Sequence, residues 1–164
     1  MKLYFLRHGI AEEATFEMPD AERRLTKEGV LKMEREAHGM ARLGLKWDCL
    51  YSSPYPRALE TAKIVQKTLD LPMVEVVESL ACGYFGLGAL QELTARHNSR
   101  AELLFVGHEP HLSMLVERLT GANVEMKKGA LACIETHSPE PDAGILRFLL
   151  APNQLVSLGD AGRE

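Results

Sequence analysis

Two histidines and two arginines stand just beyond short apolar runs: Arg7-His8 after residues 2–6, Arg57 a little after residues 48–51, and His108 after residues 102–106. Arginine presents a planar fork of donors that suits phosphate bidentately and stays charged at any working pH. Two such side chains with no obvious carboxylate partner call for a multivalent anion. A histidine held among arginines has its charged form disfavoured by like charge. It is therefore neutral, with a nitrogen lone pair available for attack on phosphorus. A second histidine opposite can hold a proton on a bound phosphoryl group and stabilise its equatorial oxygens, which is the charge stabilisation that phosphoryl transfer mainly requires. No G-x-x-x-x-G-K-[ST] loop is present, so the pattern is not that of a nucleotide-phosphate cradle.

Each of these residues taken singly is more often a hydrogen-bonded structural residue than a catalyst; it is their joint placement that points to a site. Glu78 follows the third apolar run and is the nearest acidic candidate. His108 and His111 form H-E-P-H, one residue short of the i, i+4 spacing of metalloproteases, so metal ligation is disfavoured and no metal or cofactor is expected. His38, His97 and His137, and the Glu34-Arg35-Glu36 run, read as solvated.

The elements that must position these side chains follow from periodicity. Residues 2–6, 48–51, 73–77 and 102–106 read as buried-type strands. Between them lie helical patterns: Val30, Met33, Ala37, Met40 and Leu43 after a Thr26 N-cap, with Gly44 as the stop; Ala58, Ala62, Val65 and Leu69 after Pro56; residues 89–97; and residues 111–119. Residues 130–136 and 145–151 are separated only by a Pro-rich turn, so they form a hairpin that adds antiparallel pairing. The alternation predicts an α/β fold, a three-layer α/β/α sandwich around a mostly parallel sheet with an antiparallel C-terminal hairpin. The expected organisation is one domain over residues 1–152 and a frayed polar tail over 153–164. In an open parallel sheet, ligands bind outside the carboxyl ends of the strands, and that is where Arg7, His8, Arg57 and His108 all fall. The stretch from 9 to 25 is too long for an ordinary strand-to-helix link and is a candidate lid.

The chain has 164 residues, 46% of them hydrophobic and 26% charged, with a net charge of −4. That size corresponds to one domain with a substantial core. The acidic balance argues against nonspecific binding to nucleic acid or a membrane surface. The three cysteines include no C-x-x-C pair, which suggests reduced thiols in a cytoplasmic protein rather than a disulfide framework. The short apolar N-terminus does not read as a signal peptide, and no segment has the length of a membrane span.

Leu6-Arg7-His8-Gly9 resembles the R-H-G signature of the histidine phosphatase (phosphoglycerate-mutase-like) superfamily. Ser52-Ser53-Pro54-Tyr55-Pro56-Arg57-Ala58-Leu59-Glu60-Thr61-Ala62 is similar to its S-S-P-x-x-R-A-x-x-T-A segment, and Val106-Gly107-His108-Glu109-Pro110 to its second-histidine motif. Arg23-Arg24-Leu25-Thr26 resembles the R-x-L-T element of the SixA-type phosphohistidine phosphatases. The resemblance runs over nearly the whole chain.

It implies a phosphoglycerate-mutase-like fold and a set of roles. His8 would be the phosphorylated nucleophile. Arg7 and Arg57 would clamp the phosphoryl oxygens, and His108 would donate to the phosphoryl group from the opposite side. Arg23 would reach the pocket from the long loop, although Arg24 stands where proline is frequent, so either of the two can be the one that reaches in. Glu78 lies where larger members carry a proton donor; its alternative role is to cap the strand end. The implied activity is metal-independent hydrolysis of phosphohistidine on a signalling or phosphocarrier protein. The alternatives are a phosphatase of small phosphate esters and a non-catalytic phosphoanion-binding module. A chain this short has little room for a substrate-enclosing cap, which favours a macromolecular substrate. The substrate's identity and the oligomeric state stay open at this level.

Overall fold

A computed structural model of the protein describes residues 1–161. Its elements follow in the order β1 (Lys2–Arg7), α1 (Lys27–Arg42), β2 (Cys49–Ser52), α2 (Pro56–Leu69), β3 (Val74–Val76), α3 (Leu87–Thr94), β4 (Glu102–Gly107), α4 (His111–Thr120), β5 (Leu131–Thr136), β6 (Gly144–Leu150) and α5 (Pro152–Asp160). Single turns of 3-10 helix at Asp20–Glu22 and Glu78–Leu80 interrupt two of the connections. The strands form one six-stranded sheet in the order β3-β2-β4-β1-β5-β6. β3, β2, β4 and β1 run parallel, β5 is antiparallel to β1, and β6 pairs back on β5. The fold is the expected α/β arrangement, a mostly parallel sheet with an antiparallel C-terminal hairpin.

The central strands are buried on both faces, which is why they read as continuous apolar runs rather than alternating ones. Leu3, Phe5, Leu103 and Phe105 face one side and pack with Leu90 and Leu93 of α3 and Leu112, Leu115, Val116 and Leu119 of α4. Tyr4, Leu6, Leu104 and Val106 face the other and pack with Met33, Ala37 and Met40 of α1, Ala58, Ala62 and Val65 of α2 and Leu155 of α5. Thr26 caps α1 as its sequence suggests, its hydroxyl accepting from Gly29 N–H at 2.9 Å.

Two expectations fail here. Residues 152–160 are not a frayed tail but a helix, α5, laid along α1. Pro152 takes the first helical position, where its missing N–H costs nothing, and Gln154 Oε1 accepts the Ala151 N–H at 2.8 Å. Gly39 and Gly159 let the two backbones approach so closely that a Cβ at either would collide with the carbonyl of the facing helix, at Leu155 and Arg35 respectively. The remainder of the expected tail, 162–164, lies outside the described residues. Glu36, read as part of a solvated face, is fully buried beneath Gly129, and burial pushes its carboxyl up to about 8. No helix of the described residues is long and apolar enough to cross a membrane.

Candidate active site

Parallel register brings the strand ends into line. Arg7 pairs with Gly107, and Ser52 pairs with both Val106 and Val76, so His8, Ser53, Val77 and His108 leave the sheet along one edge. His8 N–H donates to the Gly107 carbonyl and Ser53 N–H to the Val106 carbonyl, which fixes the three departures relative to one another. Arg57 is the second residue of α2, and Thr61 ties that helix to the exit from β1: its hydroxyl donates to the Arg57 carbonyl at 2.7 Å and accepts from Gly9 N–H at 3.0 Å.

His8, Arg57 and His108 are each at most 5% exposed. The His8 and His108 rings face each other with centroids 5.2 Å apart. His8 Nδ1 lies 2.8 Å from the Gly9 carbonyl, an acceptor only, so Nδ1 carries the proton and Nε2 keeps the lone pair. Arg57 Nε donates to that Nε2 at 3.3 Å. Desolvation, then the neighbouring His108 and the charges of Arg57 and Arg7, depress His8 to about 3, against the opposing hydrogen bond to the Gly9 carbonyl. His108 is lowered to about 4, by burial first and Arg57 next. Both imidazoles are neutral in the unliganded protein, so the expected protonated second histidine requires a bound anion.

Arg7 Nη1 donates to the Met126 carbonyl at 2.9 Å, while its Nε is buried without a protein partner. His108 Nδ1 is buried and unpartnered as well. A buried polar nitrogen without a partner is costly, so these two atoms are candidates to meet a bound anion.

The long 8–26 connection is not a bare loop. Its base closes where Ala11 bridges Leu25 and Thr26 N–H donates to the Ile10 carbonyl, and its 3-10 turn carries Asp20 into the site. Asp20 Oδ2 accepts from Arg57 Nη2 at 2.9 Å, its carbonyl accepts from Arg57 Nη1 at 2.5 Å, and Oδ1 accepts from Arg23 Nη1 at 2.7 Å. Arg23 also donates through Nε to the Glu12 carbonyl. Arg57 and Arg23 therefore share a carboxylate partner, one that no spacing in the chain announces, whereas Arg7 has no ion pair among the described residues. Hydrogen bonds from Arg23 hold the Asp20 carboxyl below the usual carboxylate range. Of the two candidate arginines, Arg23 is the one turned toward the site, at 17% exposure. Arg24 is 69% exposed and paired with Glu60.

Glu78 opens the 3-10 turn after β3 and is exposed. Among the described residues, no hydrogen bond or ion pair joins its carboxylate to the histidines or arginines. Its backbone carbonyl does close the turn on Ala81 N–H, in keeping with a strand-end cap. His97, expected to be solvated, instead hydrogen-bonds Tyr51 at 2.6 Å.

Three further residues belong to the arrangement. Asp20 and Tyr55 have no signal in type or spacing, although Tyr55 lies against both the Arg57 guanidinium, at 5.1 Å, and the His108 ring, at 5.2 Å. Ser53, inside the quoted motif, meets His108 Nε2 through its hydroxyl at 2.7 Å.

The model of the histidine phosphatase superfamily (branch 1) matches residues 3–81. An uncharacterized protein of Picosynechococcus sp. is 33% identical over 137 residues, covering 80% of this chain and 82% of its own. Among solved structures, the protein histidine phosphatase SixA complexed with tungstate superposes with a TM-score of 0.81 at 25% identity, over 94% of this chain and 99% of that one. Phosphoserine phosphatase of Entamoeba histolytica in complex with 3-phosphoglyceric acid superposes at 0.72 with 15% identity, over 94% and 98% of the two chains. The chain belongs to the histidine phosphatase superfamily and is a histidine-type phosphatase.

Proposed function

We propose that the protein removes the phosphoryl group from phosphohistidine on a signalling or phosphocarrier protein, through a covalent phospho-His8 intermediate. The observation that carries this reading is that, among the described residues, no carboxylate hydrogen-bonds His8 or His108. Asp20 is tied to Arg57 and Arg23 with its acidity increased, and among the described residues Glu78 makes no hydrogen bond or ion pair with the histidines or arginines. Glu109 is committed to Ser113 through its N–H and its hydroxyl. An alkoxide leaving group needs a proton from the enzyme. A phosphoimidazole protonated on its other nitrogen leaves as neutral imidazole and needs none.

In the first step the lone pair of His8 Nε2 forms a bond to phosphorus. The substrate's P–N bond breaks, and its electron pair goes to the departing imidazole nitrogen. In the second step water attacks phosphorus, the pair of the new P–N bond returns to Nε2, and the proton of water passes to the released phosphate. Arg7, Arg57 and His108 supply the donors around the equatorial oxygens, so the work is positioning and charge stabilisation. The tungstate in the similar SixA structure is a tetrahedral oxyanion of the same kind.

Small-ester turnover is the competing reading, favoured by the likeness to a phosphoserine phosphatase. A direct comparison decides between them: turnover of a phosphorylated histidine phosphotransfer protein beside aryl and sugar phosphates, in wild type and Glu78→Gln. The expected result is a strong preference for the phosphoprotein, left unchanged by the substitution. A preference for esters that Glu78→Gln abolishes would establish the small-ester reading instead.

A further inference from the structure

One ring nitrogen of His108 has a single hydrogen-bond partner in the protein and the other has none. Its Nε2 lies 2.7 Å from the Ser53 hydroxyl, while Nδ1 is buried with no protein partner. The hydroxyl itself is fully buried. One of its lone pairs is already used, because Ser53 Oγ accepts the Tyr55 N–H at 3.2 Å. Its own hydrogen then needs an acceptor, and among the described residues His108 Nε2 is the one within reach. The contact is therefore Ser53 O–H donating to Nε2, which leaves the ring's proton on Nδ1.

We propose that Ser53 is a positioning residue that sets the tautomer of His108, so that a neutral imidazole presents an Nδ1–H donor to the phosphoryl group. This rests on the pocket being the phosphoryl site and is independent of which phosphorylated substrate is used. It also removes a difficulty. Burial and the charges of Arg57 and Arg7 disfavour an imidazolium at His108, and with the tautomer set by Ser53 the residue needs no charge to act as a donor. The backbone makes the pair rigid: Ser53 N–H is anchored on the Val106 carbonyl, two residues before His108 on the neighbouring strand, so serine and histidine are held by adjacent rungs of the sheet. Tyr55 backs the ring, its own centroid 5.2 Å from that of His108.

Long-range nitrogen–proton correlation NMR of the 15N-labelled protein tests this directly, with the His108 signals assigned by their loss in His108→Ala. The expected spectrum at neutral pH has a protonated-type Nδ1 and an unprotonated-type Nε2. Adding inorganic phosphate should shift Nδ1 and its proton. In Ser53→Ala the tautomer preference should be lost, and kcat should fall about 10- to 100-fold, in the range seen when a partner that orients a functional group, or a transition-state donor, is removed. A wild-type spectrum with the proton on Nε2 would overturn the proposal, as would a Ser53→Ala enzyme with unchanged tautomer and turnover. The wild-type spectrum decides by itself if Ser53→Ala does not fold. Failure of the phosphohistidine reading would appear in the substrate comparison and leave this spectrum as it is.

Discussion

The side chain of Arg57 is held from two directions, by Asp20 on its Nη1 and Nη2 groups and by the lone pair of His8 on its Nε. Asp20 thereby occupies the end of the guanidinium and leaves the Nε edge turned to the histidine where phosphorus would bind. Asp20→Ala should lower kcat/KM roughly 10-fold, because an unfixed clamp misplaces the donors it carries. Steady-state kinetics and inorganic phosphate inhibition check this; equal or higher activity with tighter phosphate binding would show that Asp20 merely competes for the anion's place. The two buried histidines predict an acid sensitivity. Their folded-state values of about 3 and about 4 lie below the ordinary histidine value, so between that value and those the unfolded chain binds more protons. Stability should therefore rise with pH across this window and fall as the solution is acidified through it. Urea unfolding at a series of pH values should show this slope, reduced in His8→Asn. The four strand-end residues are legible in the sequence because each directly follows, or closely trails, an apolar run. Asp20 is not, since its role depends on how an irregular excursion folds back.

Helix α5 is the element that periodicity misses. It is short, its apolar positions are few, and its decisive feature is a glycine that meets another glycine more than a hundred residues earlier. Small-to-small packing of this sort has no hydrophobic signature. Gly39→Ala should destabilise the protein by roughly 1–3 kcal/mol through overpacking, read as a lower urea midpoint at unchanged slope; a neutral effect would mean that α5 is not docked on α1. Glu36 escapes for the opposite reason, a charged residue among charged neighbours whose burial is set by Gly129 above it. Its folded-state value is raised to about 8, so the stability it contributes is full below the ordinary glutamate value and is lost as pH rises through about 8. Glu36→Gln should match wild type most closely at acid pH and gain on it as pH rises, levelling off above about 8. A parallel pair of pH–stability curves would contradict this placement.

For the whole molecule, a net charge of −4 surrounds a pocket that gathers three arginines and two histidines. The parallel register explains how residues a hundred positions apart meet: a six-stranded sheet places each strand's exit on one edge, and the exits carry the donors. Such a site works by local geometry inside a mildly acidic shell. Turnover of a phosphoprotein should accordingly change by less than about threefold between low and physiological salt, since surface charges beyond the Debye length are screened while buried groups are not. The central claim is that the phosphoryl group passes through His8. The most direct test is rapid quench of the wild-type enzyme with a histidine phosphotransfer protein carrying labelled phosphate. The expected result is an acid-labile, base-stable phosphoryl adduct on His8, absent in His8→Ala together with turnover. Full turnover in His8→Ala, or labelled phosphate released with no adduct while turnover proceeds, would contradict it.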